Sequence, residues 1–188
     1  AEQEGKLSPV ELAILFHYRY IRIHPFEDGN GRIARLMVNF ILARHGYPMI
    51  VVRSRLKQHY LEALHKADLI VGATPADGAH ASLKDIRPFH KYMNKLIAEE
   101  VANDVLFVTE RNENVWWYDG QRIAFRTATY SKILRTMQIE DQATQAYLQE
   151  ETGINRSALQ KMIATLQDKG YIARDDNGRW RVFLTPSV

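Results

Sequence analysis

The run His24-Pro25-Phe26-Glu27-Asp28-Gly29-Asn30-Gly31-Arg32, with Arg35 just beyond it, constrains this chain more than any other stretch, because no continuous helix can pass through it. Pro25 fixes its own backbone and drives His24 out of helical geometry, while Gly29 and Gly31 allow backbone conformations and close approaches that a side chain would block. Both flanks carry helical periodicity. Ser8-Pro9-Val10-Glu11 supplies a serine cap, an early proline and a glutamate placed for a capping box, so a helix is predicted from there to about Arg22, burying Leu12, Leu15, Phe16 and Ile23. After the loop, Ile33, Leu36, Met37, Phe40 and Ile41 form a stripe predicted to face the core, with Arg32, Arg35 and Asn39 opposite, until Gly46 and Pro48 stop the second helix. Phe26 is expected to plug the core and pin the loop, Glu27 to be solvated, and Asn30 to cap the second helix, contact an anion, or both.

The charges indicate what such a loop would face. A helix N-terminus carries partial positive charge and unpaired N–H donors, so Arg32 and Arg35 in that region are locally unfavourable. A bound anion reverses the sign, since backbone donors, dipole and both guanidinium groups then converge on it, as at phosphate sites. Asp28 beside a phosphate calls for a hard divalent cation, Mg2+, shared between the carboxylate and phosphate oxygens with water completing its shell. His24 is the side chain here able to take a proton near neutral pH, and is the candidate general base.

These residues fill every specified position of the signature H-P-F-x-[D/E]-G-N-G-R-x-x-R, and the chain here resembles Fic-domain proteins. The resemblance implies transfer of AMP from ATP to a Ser, Thr or Tyr hydroxyl of a target protein, with release of pyrophosphate. By that likeness His24 deprotonates the hydroxyl, Asp28 holds Mg2+ against the α- and β-phosphates, Gly29, Asn30 and Gly31 form the anion hole, and Arg32 and Arg35 hold the outer phosphates. Relatives that transfer a terminal phosphate look different at the position of Gly31, where they carry lysine. The family's aromatic pattern near its base pocket is met by Tyr60, a possible base contact, and not by His59. Such proteins place a β-hairpin flap and further helices upstream of the signature. With 23 residues before His24, these are expected to be missing from the chain as given, which predicts weak nucleotide binding and weak target modification by these 188 residues alone.

The remainder is consistent with a mainly α protein. Residues 1–7 are expected to fray. Ser54 can cap a third helix to about Val71, buried through Leu56, Tyr60 and Leu64; residues 72–81 read as a loop, and Ser82 with Asp85 starts a helix carrying Ile86, Phe89, Tyr92, Met93 and Leu96. Together these form a Fic-type helical core over residues 1–108. Residues 109–126 read as a linker and hairpin: Thr109 to Asn114 is dense in charge, and Asp119-Gly120 suits a tight turn between strands. Within it, Thr109, Glu113 and Asn114 match the form of the glutamate segment with which many Fic proteins obstruct their own ATP site. Trp116 and Trp117 are expected to pack between two domains, with base stacking as the alternative.

Residues 127–188 read as three short helices and a hairpin, the order of a winged helix-turn-helix. Thr144 to Glu151 gives the second helix, Thr152-Gly153-Ile154 the turn, and Asn155 caps a third to Lys169 with Leu159, Ile163 and Leu166 inward. Asp175-Asp176-Asn177-Gly178 forms the wing turn. Arg156, Ser157, Gln160 and Lys161 point outward and can reach phosphates and base edges, although Glu150, Glu151, Asp175 and Asp176 interrupt the basic footprint. The alternative reading is therefore a DNA-binding transcriptional regulator whose helical core senses nucleotide, with dimerisation or target docking as further uses of the winged domain. Zero cysteines excludes disulfides and thiolate metal sites, and a net charge of +3 does not by itself argue for nucleic acid. With no apolar stretch approaching 18 residues and no signal-peptide pattern, no membrane contact is expected and the cytoplasm is the expected compartment.

Overall fold

A computed structural model describes residues 5–72 and 78–187. Residues 1–4 of the expected frayed start, and 73–77 of the expected loop, lie outside the described residues. The chain forms two compact units, residues 1–104 and 105–188, the division falling inside one long helix.

The first unit is helical. Helix α1 (Pro9–Ile23) opens with the full capping box: the Ser8 hydroxyl accepts from the Glu11 N–H, and Glu11 accepts from the Ser8 N–H at 2.9 Å. Gly5 to Leu7 do not fray, since Leu7 packs on the core. Helix α2 (Asn30–Arg44) follows the loop, a single 3-10 turn at Ser54–Leu56 leads into α3 (Lys57–Val71), and α4 (Arg87–Thr109) begins after Ser82, whose N–H and hydroxyl both donate to Asp85. Ala13, Ile14, Tyr18, Val38, Leu42, Tyr60, Phe89 and Met93 make one core. Each large apolar side chain sealed there contributes about 1.5–3 kcal/mol. Two polar clamps fix the outer segments: Asn39 exchanges both amide hydrogen bonds with Ile50 (2.8 and 2.9 Å), and Arg53 pairs with Glu100 at 2.8 Å in a largely dry setting. Arg22 bonds Asp68, which also accepts from the Tyr18 hydroxyl at 2.8 Å, and Gly78 lies so close to Arg22 that a Cβ there would come within 3 Å of it.

The apolar stripe expected of α2 is not the one it buries. Asn30, Ala34, Val38 and Leu42 face the core, whereas Leu36 is 67% exposed and Phe40 59%. Small Ala34 and Val38 allow α1 to lie close. Spacing alone admitted both faces, and the contact with α1 selected the one with smaller side chains. Ile23, in the last turn of α1, is likewise exposed rather than buried.

The second unit is the expected winged helix with one addition. Helices α5 (Ala128–Ile139), α6 (Gln145–Thr152) and α7 (Arg156–Asp168) precede the wing strands β3 (Ile172–Arg174) and β4 (Trp180–Val182). Ahead of them β1 (Val115–Tyr118) and β2 (Gln121–Ala124) form the expected hairpin, turned by Asp119 and Gly120 at φ 47° and 67°, the left-handed pair of a type I′ turn. A last short strand, β5 (Thr185–Pro186), returns to pair with β1, so this hairpin is a structural member of the winged unit. Both of its tryptophans are buried and hydrogen-bonded within this unit. Trp116 is sealed in the unit's own core and donates to Ser131, and Trp117 donates to Ser187, both at 3.0 Å. Among the described residues, no helix is long and apolar enough to cross a membrane.

Candidate functional site

The loop between α1 and α2 is held open by its own backbone. His24 ends α1 with left-handed geometry (φ 48°, ψ 57°), uncommon for a residue bearing a side chain, and Pro25 is why the right-handed region is closed to it. Its N–H still closes α1 onto the Tyr20 carbonyl at 3.0 Å. The imidazole is exposed, with Nδ1 3.3 Å from the Ile21 carbonyl oxygen. A carbonyl can only accept, so in the neutral ring this contact favours the proton on Nδ1 and the lone pair on Nε2.

Asn30 staples the loop. Its side chain is buried, accepting from the Phe26 N–H at 3.1 Å and donating to the Phe26 carbonyl. Phe26 itself is 54% exposed, so the expected core plug is wrong: the buried amide of Asn30, not an aromatic ring, pins the loop. Asn30 is also not the helix cap. That position falls to Gly29, at φ 82°, which has no side chain to cap with. The first backbone bond into the helix is Ile33 N–H to the Gly29 carbonyl, so the amides of Asn30, Gly31 and Arg32 precede the first bonded turn.

Around this open terminus stand the expected charges. Asp28 and Arg32 are both exposed and pair at 2.9 Å across one helical turn. Arg35 lies one turn deeper, its guanidinium 5.8 Å from the centre of the Tyr60 ring, and a Cβ added to Gly31 would sit 3.3 Å from Arg35 Nη1. The loop thus gathers His24, Asp28, Gly29, Asn30, Gly31, Arg32 and Arg35 within one bend. Tyr60 stands apart as a core residue, 3% exposed, with its hydroxyl 3.0 Å from Nε2 of the fully buried His17. Burial, then the charge of Arg35, pushes the His17 imidazole down to about 3. Burial raises the Tyr60 phenol, while hydrogen bonding and charge from Arg35 act the other way. Sequence reasoning passed over His17, because its partner is 43 positions away and no local spacing marks the pair.

Of the loop's exposed carboxylates, Glu27 and Asp28, it is Asp28 that pairs with Arg32 at the helix start, and among the described residues no cluster of three or more acidic, histidine or cysteine side chains could hold a metal by itself. A single exposed carboxylate suits Mg2+, which is commonly held by one or two carboxylates together with substrate phosphates and water.

Residues 1–42 match the Fic/DOC family and residues 127–179 match the MarR family. The chain is similar to the protein adenylyltransferase Fic of Nematostella vectensis, 41% identical over 46% of this chain and 17% of that protein. It is also similar to the protein adenylyltransferase fic-1 of Caenorhabditis elegans, 36% identical over 47% of this chain and 15% of that one. The chain therefore spans about a sixth of the length of these curated relatives. A Fic domain containing signaling protein from Bacteroides thetaiotaomicron VPI-5482, known from its crystal structure, is 56% identical over 56% of this chain and 39% of that one, with a TM-score of 0.53. The chain carries a Fic-family segment at its N-terminus and a MarR-type winged helix at its C-terminus.

Proposed function

We propose that the first unit takes part in transferring AMP from ATP to a Ser, Thr or Tyr hydroxyl of a target protein, with the cytoplasm as the place of action. The observation that carries this reading is the open N-terminus of α2: a glycine cap, amides ahead of the first bonded turn, and the cations of Arg32 and Arg35 beside them, an arrangement that suits an anion. Relatives named protein adenylyltransferase support the reaction class.

In this reading the amides around Gly29, Asn30 and Gly31 orient the phosphates, and Arg32 and Arg35 hold the outer ones. Arg32 would exchange Asp28 for phosphate, which frees the carboxylate to hold Mg2+. The metal would supply charge neutralisation at the phosphate oxygens. His24 accepts the hydroxyl proton on Nε2, the target oxygen bonds the α-phosphorus, and the bond from that phosphorus to the bridging oxygen breaks, releasing pyrophosphate. Gly31 leaves the Arg35 guanidinium room that a longer side chain at this position would take.

Incubation with ATP labelled at the α-phosphate should transfer label to protein, and His24→Ala should reduce transfer by roughly a hundred- to ten-thousandfold. Label transfer that His24→Ala leaves unchanged would sink the proposal. A second reading, a DNA-binding regulator whose helical unit senses nucleotide, is favoured by the MarR-family match and by Arg156, Ser157, Gln160 and Lys161, all exposed on α7. It predicts salt-sensitive, sequence-specific DNA binding lost in Arg156→Ala and indifferent to His24→Ala.

A further inference from the structure

Arg35 differs from Arg32 in what stands behind it. Arg32 pairs with an exposed carboxylate of the preceding loop, Asp28, and is itself exposed. Arg35 has the Tyr60 ring on one side and the Cα of Gly31 on another, and Tyr60 in turn reaches His17 in the core. His17 is wholly buried, lies edge-on to Tyr60 at 5.7 Å between ring centres, and is backed by Phe89 at 5.1 Å. Phe89 is itself fully buried. These residues come from α1, α2, α3 and α4, so their arrangement is a property of the assembled core.

Hydrogen-bond bookkeeping gives the set a direction. Hydrogen bonding from Arg35 acts on the Tyr60 phenol, and a guanidinium only donates, so the hydroxyl must offer it an oxygen lone pair. The Tyr60 proton must then go elsewhere, and His17 Nε2 is 3.0 Å away. That requires a neutral His17 with its proton on Nδ1. Burial beside a cation enforces the neutral form, and among the described residues Nδ1 has no hydrogen-bond partner. Leaving a buried donor unsatisfied is costly, and such a group in a folded core calls for an explanation. Holding Tyr60 in the orientation that serves Arg35 is one.

We propose that Tyr60 and His17 are positioning residues for Arg35: the buried imidazole fixes the phenol, and the phenol fixes the guanidinium that grips the outer phosphates. The inference rests on the nucleotide-binding reading of the loop. It gives Tyr60 a place behind the arginine instead of against the base, and it makes the affinity for a triphosphate depend on a hydrogen bond inside the core.

The test uses the whole chain, NMR titration with Mg-ATP and with AMP, and nitrogen NMR of the histidines. Tyr60→Phe keeps the ring and removes the hydroxyl. It should raise the Mg-ATP dissociation constant about five- to tenfold, the loss expected for one ordinary hydrogen bond, and leave AMP, which lacks the outer phosphates, within about twofold. In the unsubstituted chain His17 should appear neutral with its proton on Nδ1 at pH 5, and Tyr60→Phe should shift its Nε2 resonance. Tyr60→Phe combined with Arg35→Met should weaken Mg-ATP no further than Arg35→Met alone. Equal loss of Mg-ATP and AMP, additive losses in the double variant, or His17 protonated on Nε2 would each overturn the proposal. If the unsubstituted chain and Arg35→Met show the same Mg-ATP response, the nucleotide reading fails, while the tautomer of His17 and its response to Tyr60→Phe still decide whether the pair is built as described.

Discussion

Helices α2 and α7 both begin immediately after a loop, and both are the elements on which a function of their unit would rest, yet their first turns are finished in opposite ways. In α7 the Asn155 side chain accepts from the Ala158 N–H at 2.9 Å, and in its neighbour α6 the Thr144 hydroxyl accepts from Tyr147 at 3.2 Å. Their first-turn donors are partly answered from within. Helix α2 starts at a glycine, and its nearest amide side chain, Asn30, is turned back to hold the loop. The contrast separates two uses of a helix start. Where the cap is internal, recognition must come from outward side chains such as Arg156 and Lys161; where it is missing, the backbone itself is available to an anion.

The comparison can be broken most forcefully through Trp116. If the winged unit holds its own core, Trp116→Ala should cost about 3–5 kcal/mol in that unit's unfolding, read by chemical denaturation, and leave the loop resonances of the first unit in place. Simultaneous loss of both would show that the two units unfold as one. The next effect is a pH dependence confined to the first unit, since all 7 histidines precede residue 105. Below about 6.5 the unfolded chain protonates His17, whereas in the folded chain burial, then the charge of Arg35, keeps the ring neutral until about 3. The unfolded state therefore binds more protons in that window, and stability contributed by His17 is complete above 6.5 and falls as pH is lowered through it. By pH 5 the loss should be about 2 kcal/mol, and His17→Gln should flatten the profile. The smallest effect concerns the caps. Asn155→Ala should cost about 1 kcal/mol, because its role is structural, and thermal melts of the winged unit will read it. No loss there would mean that the α7 terminus is no better closed than that of α2.

Much of this was legible in the chain. The Ser8 to Glu11 capping box, the Asp119-Gly120 turn and the helix starts at Thr144 and Asn155 are local events, decided by residues within four positions of each other, and each formed as its sequence demanded. The loop from His24 to Arg32 was legible for the same reason. Less so were the faces. Leu36 and Phe40 have the right spacing for a core stripe, and Phe26 the right chemistry for a plug, but which side of a helix is buried depends on what packs against it, and Ala34 and Val38 fit α1 more closely. The strand β5 went unseen because two residues carry no periodicity, and its partner lies some 70 positions earlier, where the Trp117 indole donates to Ser187.

By itself, then, the sequence determined where helices start and stop, where the backbone must turn left-handed, and which side chains gather in one short bend, since all of these are settled by steric and hydrogen-bonding rules acting over a few residues. Only the tertiary structure decided that Asn30 holds the loop from inside, that Tyr60 stands behind Arg35, and that His17 is kept neutral beneath it. Those relations join residues from four helices. They depend on burial and distance, which no local pattern encodes.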